Sequence, residues 1–191
     1  MAGASVKVRN AHPTELNSFI LGFTMKLLIA IVVIAGAAWW FIIGNSKISE
    51  TQVNEYYQSI EDATLDRKPE DICSLLADDF TDEEAVTISG QQEAISQNKA
   101  QTCDAHRNLY ETIDKLGEKM DGILQLDSNY KIHSITISND QKTATVDISS
   151  SLDVAGSIMN FRSRSTDTLV LRNGKVLMLR SEGNSFVSAG S

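Results

Sequence analysis

Residues 130–150 read YKIHSITISNDQKTATVDISS, and the fold turns on how this stretch is read. Ile135 and Ile137 alternate with Thr136 and Ser138, Asn139-Asp140 supplies a turn, and Ala144, Val146 and Ile148 alternate with Thr145, Asp147 and Ser149. Successive side chains on a strand point to opposite faces, so the pattern predicts an antiparallel hairpin with one apolar side. Downstream, Asn173-Gly174 separates Thr168-Leu169-Val170-Leu171 from Val176-Leu177-Met178-Leu179. That dipeptide predicts a type I′ hairpin turn, because both central residues need positive φ. With a further break at Ala155-Gly156-Ser157, about four strands are expected from Tyr130 onward, in meander order.

Upstream the period is helical. Ser49-Glu50-Thr51-Gln52 has the form of a capping box, and Val53, Tyr56, Tyr57 and Ile60 follow at helical spacing, which predicts a helix over Ser49–Leu65. Pro69, Glu70 and Asp71 suit the first turn of a second helix, with Ile72, Leu75 and Leu76 on its apolar side and Asp78-Asp79 at its end. Ile95, Thr102, His106, Leu109, Ile113 and Leu116 predict a long third helix over Gln91–Met120. Helices first and antiparallel strands last imply an α+β domain with three helices packed on one face of a sheet.

Residues 63–80, ATLDRKPEDICSLLADDF, resemble the helix, polar break, helix and acidic-acidic-Phe opening of the nuclear-transport-factor-two-like, or cystatin-like, cone fold. The long helix and strand meander are similar to that fold as well, over roughly Ile48 to Phe186. The resemblance implies a curved sheet wrapped around the helices. Members with one N-terminal membrane helix include the bitopic assembly subunit of type IV secretion systems, and likeness to that group implies a scaffold role.

Ahead of this domain, residues 27–44 read LLIAIVVIAGAAWWFIIG. As a helix they would span roughly 27 Å, enough to cross a bilayer once. Lys26 is expected to snorkel to one interface, and Trp39 and Trp40 to sit at the other. Residues 1–45 carry a formal +2 and the remainder −10, so the short tail 1–26 is expected in the cytoplasm and the domain 45–191 in a bacterial periplasm. Ala35-Gly36-Ala37 also fits signal-peptide cleavage, but the apolar run continues beyond it through Ile43.

Composition narrows the chemistry. The 191 residues are 42% hydrophobic and 22% charged with a net charge of −8, which excludes a disordered or collagen-like chain and argues against nucleic-acid binding. No Walker loop, GxGxxG, GxSxG or HExxH is present, and Cys and His are too few for a structural zinc site, so neither enzyme activity, a cofactor nor a metal is expected.

Cys73 and Cys103, both beyond the apolar run, are expected to form a disulfide. His106 lies on the apolar side of the long helix, and Tyr56, Tyr57, His106 and Tyr110 are candidates to line a small-ligand cavity. His133 shares strand parity with Ile135 and Ile137 and is expected to point inward. Asp147 has the opposite parity to Val146 and Ile148 and is expected to face solvent, which removes the obvious general base. The last hairpin is apolar on both sides, making Leu169, Leu171, Leu177 and Leu179 candidates for a surface covered by another envelope protein or a second copy. A scaffold or accessory part of an envelope or secretion complex is therefore the leading expectation, and a periplasmic small-ligand binder the alternative, ahead of an isomerase-type enzyme.

Overall fold

A computed structural model describes residues 47–189 apart from Asp121, Ile123 and Ser157. They belong to a compact unit spanning Asn45–Ser191. The membrane expectation, with Lys26, Trp39 and Trp40, falls outside the described residues, among which no helix is long and apolar enough to cross a bilayer.

Helix α1 runs Glu50–Leu65, opened by the capping box: Ser49 Oγ accepts from the Gln52 amide and Gln52 Oε1 from the Ser49 amide. Helix α2, Pro69–Ser74, is short, and α3 covers Lys99–Lys119. Six strands make one sheet: β1 Leu76–Ile88, β2 Gln91–Asn98, β3 Leu126–Ile137, β4 Thr143–Val154, β5 Met159–Arg172 and β6 Lys175–Ala189. Their order is β2-β1-β6-β5-β4-β3. Every neighbouring pair is antiparallel except β1 and β6.

Two strands more than expected, and one parallel pair, correct the sequence reading. Residues 91–98, expected in the long helix, are strand β2, and the helix starts where Asn98 and Gln101 form a second capping box. Ser89 and Gly90, at φ of 52° and 81°, turn β1 into β2. In β1 the half-buried positions include Asp82 and Glu84, so the strand lacks the apolar alternation that marks β4.

The core lies between the helices and the sheet's inner face. Val53, Tyr56 and Tyr57 of α1 pack on Ala144, Val146, Ile148 and Leu169. Nearer the other end, Tyr110 and Ile113 of α3 meet Ala63, Ile72, Leu124 and Val154. Cys73 and Cys103 are joined as a disulfide with 5.6 Å between Cα atoms, tying α2 to α3 beside Leu76 and Phe80.

The last hairpin corrects another expectation. Leu169 is 0% exposed, and Leu171 packs against the same core with Val176 and Met178, so these two leucines are not a partner surface. Register places Leu177 beside Val170 on the opposite face, and a bulge falls at Leu179; both leucines are half-buried. His133 is also corrected. A register shift between Ile132 and Ser134 leaves it exposed, with its ring nitrogen 3.0 Å from Ser149 Oγ.

Candidate functional site

Under the helices, the middle of the sheet's inner face carries small side chains where bulky ones would close the core. Ser163 pairs with Ser185 and Ser165 with Gly183 across β5 and β6, while Ser150 of β4 stands beside Ser163. At Gly183 nothing larger fits: a Cβ would come to 2.4 Å from the Arg164 carbonyl oxygen and 2.8 Å from Ser165 Cα. The unfilled space is a cavity of about 280 Å³. Its walls are Tyr57 and Ile60 of α1, His106, Leu109 and Tyr110 of α3, and Tyr130, Leu152 and Phe161 of the sheet. Three of the four residues expected at such a cavity are therefore there. Tyr56 is not: its hydroxyl donates to the Leu75 carbonyl at 3.3 Å, and its ring stands edge-on to Tyr57 with centroids 5.3 Å apart.

One lining residue had no place in the sequence reading. Asp167 of β5 is 3% exposed, accepting from the Tyr57 hydroxyl at Oδ2 and from Ser181 Oγ at Oδ1, each at 2.8 Å. Burial pushes its carboxyl above the usual carboxylate range, while hydrogen bonds from Tyr57, Ser181 and Ser165 oppose the shift. The Tyr57 hydroxyl is raised in turn, by burial first and then by the neighbouring carboxylate. Asp147, by contrast, accepts from Ser134 and Thr166 on the outer side, which holds its carboxyl low. The inward acid exists, on the next strand over.

Two more carboxylates share this face. Asp82 of β1 is beside Ser181, which lies beside Asp167, and Glu84 is beside Gly183. Burial, then Glu84 and Asp167, push Asp82 up to about 6. Burial, with Asp167 adding, also raises Glu84 against a hydrogen bond from Ser185. On the helix side His106 stacks on Tyr110 with centroids 6.3 Å apart, and burial lowers its pKa, so the imidazole is predominantly neutral at pH 7. Tyr110 is raised by burial and hydrogen-bonds Thr64. Among the described residues no group of three His, Cys, Asp or Glu is placed to hold a metal ion.

The raised acids set a pH dependence. A carboxyl whose folded pKa exceeds its unfolded value destabilises the fold once ionised, so the stability it contributes is complete below pH 4 and lost as pH rises through about 6 for Asp82. Asp82→Asn is expected to stabilise the domain by about 1 kcal/mol at pH 7, after discounting for partial exposure, and to leave it unchanged near pH 4. Urea unfolding at pH 4.5, 6 and 7.5 checks this; a loss of stability at pH 7.5 would contradict it. Glu70 and Asp79, held low by Arg107 and Arg172, act in the opposite sense, and what they contribute is lost in acid.

No protein-family model matches the chain, and no curated protein does. Solved structures do. A putative scytalone dehydratase from Novosphingobium aromaticivorans superposes with a TM-score of 0.54 at 11% identity, over 74% of this chain and 87% of that one. A conserved protein from Planctomyces limnophilus gives 0.50 at 13% identity over 74% and 97%. A nuclear-transport-factor-two-like protein of unknown function from Pseudomonas putida gives 0.50 at 12% identity over 71% and 84%. Identities this low establish the fold alone: an α+β cone of the nuclear-transport-factor-two-like, cystatin-like kind, with a curved six-stranded sheet.

Proposed function

We propose that this is a ligand-binding domain, which takes a small and largely apolar molecule between α1, α3 and the sheet and holds its polar end at Tyr57 and Asp167. The observation that carries this is the cavity itself, lined on the sheet by the small side chains of Ser150, Ser163, Ser165 and Ser185. Its apolar walls and few convergent polar groups are what small-molecule sites share. Binding fits better than turnover, because both Asp167 oxygens already accept hydrogen bonds and His106 lies on the opposite, helix-borne wall. The apolar run 27–44 would hold the domain at the periplasmic face of an inner membrane as a single pass.

Native mass spectrometry of the full-length protein from its own membranes is the test. A bound small molecule is expected on the wild type and absent from Ser163→Phe, which puts a ring into the void; equal occupancy of both proteins would rule the cavity out as the site.

The scaffold reading draws on a different observation: Phe186 of β6 and Ile88 of β1 are 57% and 55% exposed at the same end of the sheet. It expects reproducible crosslinks from that end to another envelope protein or a second copy in native membranes. Recovery of monomer alone would dismiss it.

A further inference from the structure

The cavity's charge and its walls together narrow what it accepts. Asp167 lines it, nearly inaccessible to water and held only by hydroxyls. Asp82 and Glu84 add negative charge from the adjoining strand, and Glu61 of α1 lines the cavity as well. Among the described residues no ion pair engages Asp82, Glu84 or Asp167. One cationic side chain, Arg162, lines the cavity; it is exposed, and its Nε donates to Asn160 Oδ1 at 3.1 Å. Buried charge is costly unless paired, so these carboxyls resist ionising until a counter-ion is supplied. Lining the same cavity are the rings of Tyr57, Tyr110, Tyr130 and Phe161, and aromatic π faces attract cations. Tyr57 and Tyr130 are 5.9 Å apart by ring centroid, forming one continuous aromatic wall.

We infer that the cavity selects a small organic cation, an ammonium group on an apolar body, with Asp167 as its counter-ion. This rests on the binding reading above and specifies its ligand. The two Asp167 oxygens offer about four lone-pair sites and accept from Tyr57, Ser181 and Ser165, so an ammonium N–H can join without displacing any of them. The volume, about 280 Å³, is just below the range of pockets for drug-sized ligands, which run from about 300 to 1,000 Å³. A monoamine with one ring or a short branched chain suits it. A carboxylate or phosphate would meet like charge on a dry face.

Three probes of nearly equal shape test the charge: benzylammonium, benzyl alcohol and benzoate, titrated calorimetrically into the full-length protein at pH 7.5. Benzylammonium is expected to bind about tenfold or more tightly than benzyl alcohol, with benzoate weakest. Asp167→Asn is expected to erase the preference. The pair Asp82→Asn with Glu84→Gln, which leaves the cavity lining intact, is expected to shrink it about two- to threefold. That pair keeps the test decisive should Asp167→Asn fail to fold. Benzyl alcohol bound as tightly as the amine, or a preference untouched by these substitutions, would overturn the cation while leaving the cavity a binding site. Saturable binding by none of the three at millimolar concentration would overturn both.

Discussion

Cys73→Ala combined with Cys103→Ala is expected to lower the stability of the domain by about 3.5 kcal/mol, the chain-entropy worth of a loop about 31 residues long. For a domain of this size that is a fall of roughly 10 °C in melting temperature. The effect should not be uniform. α2 has only 6 residues, too few to hold a helix in water by itself, and its polar contacts lie at its N-terminal end: Arg107 of α3 to Glu70, and Lys68 at the N-cap to Asp66. Those contacts are exposed and contribute little. With the disulfide gone, amide hydrogens of α2 and the first turns of α3 are expected to exchange fastest. Since α3 carries His106 and Tyr110, the cavity should loosen with it. Thermal unfolding with and without reductant, followed by hydrogen exchange, measures both parts; a melting temperature shifted by less than about 2 °C would mean that packing of Leu76 and Phe80 holds α2 without the bridge.

What could be read from the sequence divides along a physical line. Features set by local chemistry were legible: the Ser49 capping box, the Asn173-Gly174 turn with φ of 53° and 76°, the alternation in β4, and a cysteine pair whose bond the structure contains. Features set by long-range pairing were not. β1 lies between β2 and β6, and it can place Asp82 and Glu84 inward because Ser181, Gly183 and Ser185 opposite them leave room and supply a hydroxyl. No window of the sequence shows that partnership. The bulge at His133 likewise depends on how β3 meets β4, and it reverses the parity on which an inward histidine was expected.

The site itself was half legible. Tyr57, His106 and Tyr110 follow from helical spacing, and all three line the cavity. Asp167 was equally accessible to the same reasoning, since it shares parity with Leu169 and Leu171. The exposed Arg162 and Arg164 beside it give that part of β5 the composition of a solvated face. Arg164 marks the outer face beside Asp147, while Arg162 is among the residues that line the cavity. The serines between them, Ser163 and Ser165, are the inner positions that keep the cavity open. A run of Arg-Ser-Arg-Ser-Thr-Asp leading into Leu-Val-Leu is thus a strand whose polar residues lie on both sides for two separate reasons.

Tyr57→Phe is expected to destabilise the domain by about 2 to 3 kcal/mol, though it removes a single oxygen and leaves the ring packing in place. The hydroxyl donates to a carboxylate 3% exposed to solvent, and hydrogen bonds to buried charged groups have the largest cost when one partner is removed. Without that donor Asp167 keeps Ser181 and Ser165, and burial, already the dominant influence, pushes its carboxyl higher still. The penalty should therefore be greatest at alkaline pH, where the carboxyl must ionise, and should fall in acid, vanishing only below the ordinary carboxylate range, where it is protonated in folded and unfolded chains alike. A double-mutant cycle isolates the contact. In an Asp167→Ala background the same Tyr57→Phe change is expected to cost less than about 0.5 kcal/mol, because no carboxylate is left wanting a donor. Urea unfolding of the four proteins at pH 5 and pH 8 gives the coupling. Equal costs in the two backgrounds would show that the Tyr57 hydroxyl is satisfied elsewhere, and would remove the pairing that orients Asp167 at the inner end of the cavity.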